Sequence, residues 1–224
     1  MFRYTMYVIY MGNVRVKRYV ASMSDTTIKG RREEYTEATR RALLTAARHA
    51  FAGDGYQAAA IEAISRAARV TRGAFYHHFE DKKALFDALV NEMQAEAAAK
   101  IEARAKTHKA IWDRLSAGID AYLDVCLEPE YGRIVVREAP VVLGAERNRE
   151  IEEAYPMALL TATLDALKRR GELDFEDVDL LCRLVDAMIC KVAIMLPDSK
   201  NPKALRARGQ EVIGRLLESY RRAN

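Results

Sequence analysis

The sequence predicts an all-α protein, a three-helix head near the N-terminus joined to a larger helical body. Three observations predict it. Only 5 prolines and 11 glycines punctuate 224 residues. The stretches between them are rich in Ala, Leu, Arg and Glu, which favour helix over other states. Beyond residue 25 no apolar–polar alternation persists between turn residues, as a strand would require.

Apolar residues three and four positions apart place the elements in order. The first helix is expected over residues 36–52, with Leu43, Leu44, Ala47 and Phe51 on one face, and it stops at Gly53-Asp54-Gly55. A second covers residues 60–68, with Ile61, Ile64 and Ala68 inward. A third covers residues 72–79, with Phe75 and Phe79 one turn apart. A long fourth helix starts after Asp81 and runs to residue 105, and a fifth spans 109–127 and breaks at Glu128-Pro129. A short helix follows over 131–137, and Pro140 and Gly144 then mark a loop. One helix is expected over 147–170, with Pro156 near its first turns, ending at Gly171. The last two are expected over 176–196 and 202–222, separated by Pro197-Asp198-Ser199. The implied organisation is a tail at 1–26, a head at 30–82 and a body at 83–224.

The net charge of +4 is unevenly spread: residues 26–83 carry 11 Lys/Arg against 7 Asp/Glu, and residues 84–224 carry 21 against 24. A basic first third suits contact with a polyanion, although a mixed surface with chance asymmetry reads the same way. Three cysteines without CxxC spacing, Cys126, Cys182 and Cys190, suggest neither a disulfide framework nor a zinc site and fit a reducing, cytoplasmic setting. No apolar run approaches a membrane span. In the tail the apolar stretch is broken by Arg3 and Thr5, and its basic residues follow it, the reverse of a signal peptide. Met23 is an alternative start, on which residues 1–22 would lie outside the natural protein.

Three short helices, the second and third joined by a few residues, have helix-turn-helix spacing. The hydroxyl of Thr71 can cap the third helix. Arg72, Gly73, Ala74, Tyr76 and His77 then form its exposed N-terminal side, the part that reaches base edges in the major groove. Arg72 can pair with guanine or neutralise a phosphate. Glycine inside a helix costs about 1 kcal/mol relative to alanine, a cost more readily understood where a partner approaches closely. Arg40, with Arg41 and Arg31-Arg32, is either a solvated face or a backbone contact. His77 and His78 point about 100° apart on a helix, which argues against a shared metal ion.

Residues 54–86 resemble the DNA-binding domain of the TetR (tetracycline repressor) family of transcriptional regulators. The stretch from Val70 to Phe79, with Asp81-Lys82 and Ala84-Leu85-Phe86, carries the resemblance. It implies that Thr71 through His77 face DNA, that Tyr76 touches phosphate and that Lys82 binds the DNA backbone. Two positions depart from the family pattern. Ala59 and Ala60 stand where Thr or Ser usually caps the second helix, and Arg69 stands where Gly usually supplies a positive φ. Arg69 is therefore expected to bear a strained backbone and to offer a phosphate contact.

The resemblance continues more weakly through Arg133–Val136 and Glu138–Gly144. It implies a body that binds a small molecule among its central helices and dimerises through its last two. Candidate lining residues are Trp112, Tyr122, Cys126, Tyr131 and Met157, in a cavity between the fifth helix and the helix after Gly144, with Arg137 or Glu138 as polar anchor. The alternative is that these residues pack a solid core. Candidate dimer residues are Val185, Ile189, Val192 and Leu196 on one helix, and Val212, Leu216 and Tyr220 on the next. Cys182 and Cys190 read as small core residues. No Ser/His/Asp arrangement, phosphate-cradling glycine loop or metal spacing is present, so neither catalysis nor a cofactor is expected.

The function expected is a homodimeric regulator that binds a near-palindromic site on double-stranded DNA, a repressor released by a small-molecule effector, with no membrane partner. An activator of the same fold is one alternative. An enzyme or lipid carrier with a DNA-binding-like head is another, and paired carboxylates deep in the body would favour it over an apolar cavity.

Overall fold

The computed structural model describes residues 7–11, 14–18 and 30–222. Residues 1–38 and 39–224 form two compact units. Within the stretch read as a tail, β1 (Tyr7–Met11) pairs antiparallel with β2 (Val14–Arg18), Tyr7 opposite Arg18 and Met11 opposite Val14. The rest of residues 1–26 lies outside the described residues. The hairpin was not expected, because a five-residue alternation is too short to weigh against a helical composition.

Helix α1 (Arg31–Gly53) begins earlier than expected, α2 (Ile61–Ala67) and α3 (Arg72–His78) fall as expected, and α4 (Lys82–Ala105) starts after Asp81. The side chain of Asp81 caps α4 by accepting from the Ala84 N–H at 2.6 Å. Leu43, Leu44 and Phe51 of α1 pack with Ile64, Phe75 and Phe86 in a buried core. The Phe51 and Phe86 rings meet edge-to-face at 5.2 Å, the geometry favoured by the ring quadrupoles. Fully burying one such side chain contributes about 1.5–3 kcal/mol.

In the body, α4 lies along α5 (Ile111–Cys126), and both contact α9 (Pro156–Arg169). The last two helices, α10 (Val178–Met195) and α11 (Pro202–Ser219), pack on each other and on α5. Among the described residues no helix is long and apolar enough to cross a membrane.

Two expectations fail around the prolines. The loop expected at Pro140 is helical: α6 (Pro129–Tyr131), a π-helical segment (Gly132–Glu138) and α7 (Ala139–Leu143) run on without a break. Pro140 comes just after the π-helical segment, so its missing N–H falls at the change of register of a helix already under way. The chain turns only at Gly144, where φ is +88°. The single helix expected over 147–170 is two, α8 (Ala145–Ala154) and α9, because Pro156 opens α9 rather than sitting inside a longer helix. The second error came from reading Pro156 as an interruption when its position made it a start.

Candidate nucleic-acid interface

The turn between α2 and α3 sets the recognition helix. Arg69 has φ +57°, the only non-glycine positive φ among the described residues. The Arg69 N–H donates to the Arg66 carbonyl and the Val70 N–H to the Ser65 carbonyl, closing α2 with its chain turned back. A non-glycine residue held there costs on the order of 1 kcal/mol. Thr71 then caps α3, its Oγ1 accepting from the Ala74 N–H at 3.1 Å. Ala60, at the equivalent position of α2, gives no side-chain cap.

Arg72, Gly73, Tyr76 and His77 are exposed on one face of α3, with Ala74 half-buried beside them, while Phe75 and Phe79 hold the opposite face in the core. Arg72 lies over the Tyr76 ring at 5.7 Å and pairs with Glu62 at 2.7 Å. A Cβ added at Gly73 would meet nothing closer than 3.8 Å. The fold itself therefore gives no reason for glycine here. Arg40 is exposed, its guanidinium over the Phe79 ring at 5.4 Å. The side chains of Arg31 and Arg32 lie outside the described residues. His78 is half-buried, and burial, with His77 and Arg40 nearby, lowers its pKa.

Lys82 departs from expectation. Its Nζ donates to the carbonyls of Tyr56, Gln57 and Ala59 at 2.8, 3.3 and 3.0 Å and lies 4.6 Å from the centre of the Tyr56 ring. An ammonium has three donors, and all three are engaged inside the head. To reach a phosphate, Lys82 would have to give up those carbonyls. Lysine here holds the α1–α2 turn onto the start of α4.

The body meets the head through two residues that sequence reasoning did not place there. Arg133 donates to the carbonyls of Ala52 and Gly53, at 2.7 and 2.6 Å, at the end of α1. Glu138 accepts from the Tyr56 N–H at 3.0 Å. The two lie on the π-helical segment, one turn apart and 3.6 Å from each other. Gly55, with φ +85°, is the residue they close over, and a Cβ there would fall 2.7 Å from Arg133 Nη2 and 2.9 Å from Glu138 Oε1. Glu138, offered as an anchor for a ligand, instead belongs to this joint.

A small cleft of about 50 Å³ lies where α4, α5, α9 and α10 converge. Of the expected lining residues, Tyr122 and Met157 face it. Trp112 lines a different cleft, between α5 and α11, and lies under the Arg221 guanidinium. Cys126 and Tyr131 are buried in the core rather than lining the cleft. The Tyr131 hydroxyl donates to Gln94 at 2.8 Å, and burial pushes the Cys126 thiol up to about 12. Arg137 is on the surface, 3.3 Å from Asp198. The residues missed were Leu115, Leu160, Asp186 and Ile189, which helical periodicity cannot distinguish from ordinary core.

Much of the expected dimer stripe is taken up within the chain itself. Val185, Ile189 and Leu196 are buried within the chain's own core. Val192 packs against α11 so closely that a Cβ on Gly209 would fall 2.7 Å from its methyl. Tyr220 stacks edge-on against Phe175 at 4.8 Å, and Leu216 is half-buried. The apolar residues left exposed are Leu180, Leu184, Ile194 and Met195 on α10 and Val212 on α11. Only Val212 was on the expected list. Cys182 is buried against Thr161, as a small core residue would be. Among the described residues no group of three His, Cys, Asp or Glu could hold a metal ion.

A capped second helix of a helix-turn-helix, carried on a larger helical body, defines a DNA-binding regulator. The sequence matches the family described as bacterial regulatory proteins, tetR family, over residues 43–89, and the tetracyclin repressor-like C-terminal domain over residues 112–220. It is 30% identical to the transposon Tn10 TetC protein of Escherichia coli, covering 79% of this chain and 88% of that one. It is 31% identical to the HTH-type transcriptional repressor Rv1474c of Mycobacterium tuberculosis, covering 78% and 91%. A solved TetR-family transcriptional regulator from Pectobacterium atrosepticum superposes with TM-score 0.71 at 32% identity, covering 87% of this chain and 99% of that one. The chain belongs to the TetR family of transcriptional regulators.

Proposed function

We propose that this chain is a dimeric repressor that grips a near-palindromic duplex site with α3 and lets go when a small molecule fills the cleft among α4, α5, α9 and α10. The observation that carries the DNA reading is the face of α3. A Thr71 cap fixes its start, Arg72, Tyr76 and His77 are exposed together, and Gly73 leaves the backbone bare for no internal reason. Repression, rather than activation, is supported by the name of a relative matched over 91% of its length. Pairing is supported by the apolar strip of Leu180, Leu184, Ile194, Met195 and Val212, five large side chains that are 44–62% exposed. Twofold pairing is the commonest way such a strip is covered. A cleft with mainly apolar walls and a few polar groups is the usual form of a small-molecule site.

The experiment is selection of bound sequences from random duplex DNA, followed by affinity measurement and sedimentation of the protein with and without the selected site. Arg72→Ala and Tyr76→Ala should each weaken the selected site by about 1–3 kcal/mol. For Arg72 the lower end applies, because it must leave Glu62, and an exposed ion pair of that kind contributes about 0–1 kcal/mol. Wild-type affinity in both folded variants, or a protein that sediments as a monomer on its site, would overturn the proposal.

A further inference from the structure

We infer that the ligand of the cleft among α4, α5, α9 and α10 is an organic cation, an ammonium group carried on an apolar body. This rests on the reading of that cleft as the effector site. The walls include Ile101, Leu115, Met157, Leu160 and Ile189, so the body of the ligand is apolar. The carboxylate in the lining is Asp186. Its hydrogen bond is a long one, from the Cys190 thiol at 3.9 Å, and among the described residues no Lys, Arg or His forms an ion pair with it. Asp120 and Asp124, on α5, share the guanidinium groups of Arg104 and Arg206.

A second carboxylate deepens the imbalance. Glu152, on α8, is close enough to Asp186 for the two charges to repel, and its recorded partner is the Asn148 amide at 2.9 Å. Burial raises both groups above the usual carboxylate range, and for Glu152 the repulsion from Asp186 adds to it. The same Asn148 is 7% exposed and leaves its Oδ1 buried without a hydrogen-bond partner. Glu152 and Asn148 lie behind the wall rather than in it, so Asp186 is the acidic group that the cleft itself presents. The one cation in the lining, Arg114, is exposed at the margin, with its Nε given to the His108 carbonyl at 2.9 Å. Tyr122 adds an aromatic ring to the wall, and such rings attract cations. Unpaired carboxylates out of water are costly. A ligand that brings a positive charge and hydrogen-bond donors relieves that cost, and a neutral ligand of the same shape relieves less.

The test uses two probes of equal size, 2-phenylethylamine, protonated at neutral pH, and 2-phenylethanol, titrated calorimetrically into the full chain. The variants are Asp186→Asn, which keeps the shape and removes the charge, and Leu160→Trp, which fills the cleft. Wild type should prefer the amine by about tenfold or more, the range of a hydrogen bond to a charged group. Asp186→Asn should bring the two probes within about twofold while leaving the alcohol unaffected and the melting temperature no lower, since a buried charge has gone. A wild-type protein that binds both probes equally, with both lost in Leu160→Trp, would refute the cation and keep the cleft as a ligand site. A preference that survives Asp186→Asn would refute the role of that carboxylate. Binding unchanged in Leu160→Trp, or no binding of either probe at millimolar concentration, would refute the cleft itself and the inference with it.

Discussion

Arg133→Met should loosen the head from the body without unfolding either. Methionine keeps most of the aliphatic stem and removes the guanidinium, so the lost interactions can be counted. They are the two hydrogen bonds to the carbonyls of Ala52 and Gly53 and the ion pair to Glu138. Those carbonyls end α1, where the helix dipole is negative and a cation is favourable. A hydrogen bond involving a charged group contributes about 1.5–3 kcal/mol. Arg133 is 37% exposed, so water can replace part of what is lost, and about 2 kcal/mol for the whole contact is a fair total. For a chain of this size that is a fall of about 4–8 °C in melting temperature. Denaturant melts of the variant and wild type measure it directly. The same variant should still bind DNA and still bind the effector, but effector should release DNA less completely. A stability change below about 0.5 kcal/mol, with release intact, would refute the idea that this joint fixes the head.

Two further substitutions separate structure from recognition. Lys82→Met should lower stability by about 2 kcal/mol by stranding three carbonyls, and should leave the salt dependence of DNA binding unchanged. A slope reduced by about one unit would mean that Lys82 leaves those carbonyls for a phosphate. Gly73→Ala should stabilise the free protein by about 0.5–1 kcal/mol, because the helix gains a better former and no neighbour is crowded. It should also weaken operator binding by a methyl's interference, and an unchanged affinity in gel-shift titrations would show that the backbone at Gly73 does not approach DNA.

What the sequence made legible was local. The Thr71 cap, the missing cap at Ala60 and the positive φ at Arg69 each follow from one residue and its neighbours, and all three are in the structure. What it hid was tertiary. Periodicity shows that Val185, Ile189 and Leu196 share an apolar face, but not whether the chain or a second copy covers it. The chain does. A stripe one step round the helix, with Leu180 and Leu184, is the one left bare. Lys82 was read as free for phosphate because nothing in a linear sequence places three carbonyls of residues 56–59 around its Nζ. Arg133 and Glu138 stood in a segment that resembles the family, but nothing in it pointed to the head. The only trace of them was Gly55, a position where any side chain would collide with both.

The joint and the cleft are mechanically close. The π-helical segment that carries Arg133 and Glu138 packs on α4, α5 and α10, and those three helices also wall the cleft. A π-turn is a less favourable register than an α-turn and recurs where a helix must do something besides pack. Here it places two charged residues, five positions apart in sequence, on the same stretch of head backbone. A ligand that moves α5 or α10 therefore bears on a segment with a neighbouring register available to it. The ligand can shift that equilibrium only by its difference in affinity for the two states. A charge that finds Asp186 in one state and not the other would supply such a difference. The carboxylate in the cleft and the arginine on the head are on this view two ends of one linkage. Effector binding and DNA release should therefore both weaken in Asp186→Asn, whereas Arg133→Met should weaken release alone.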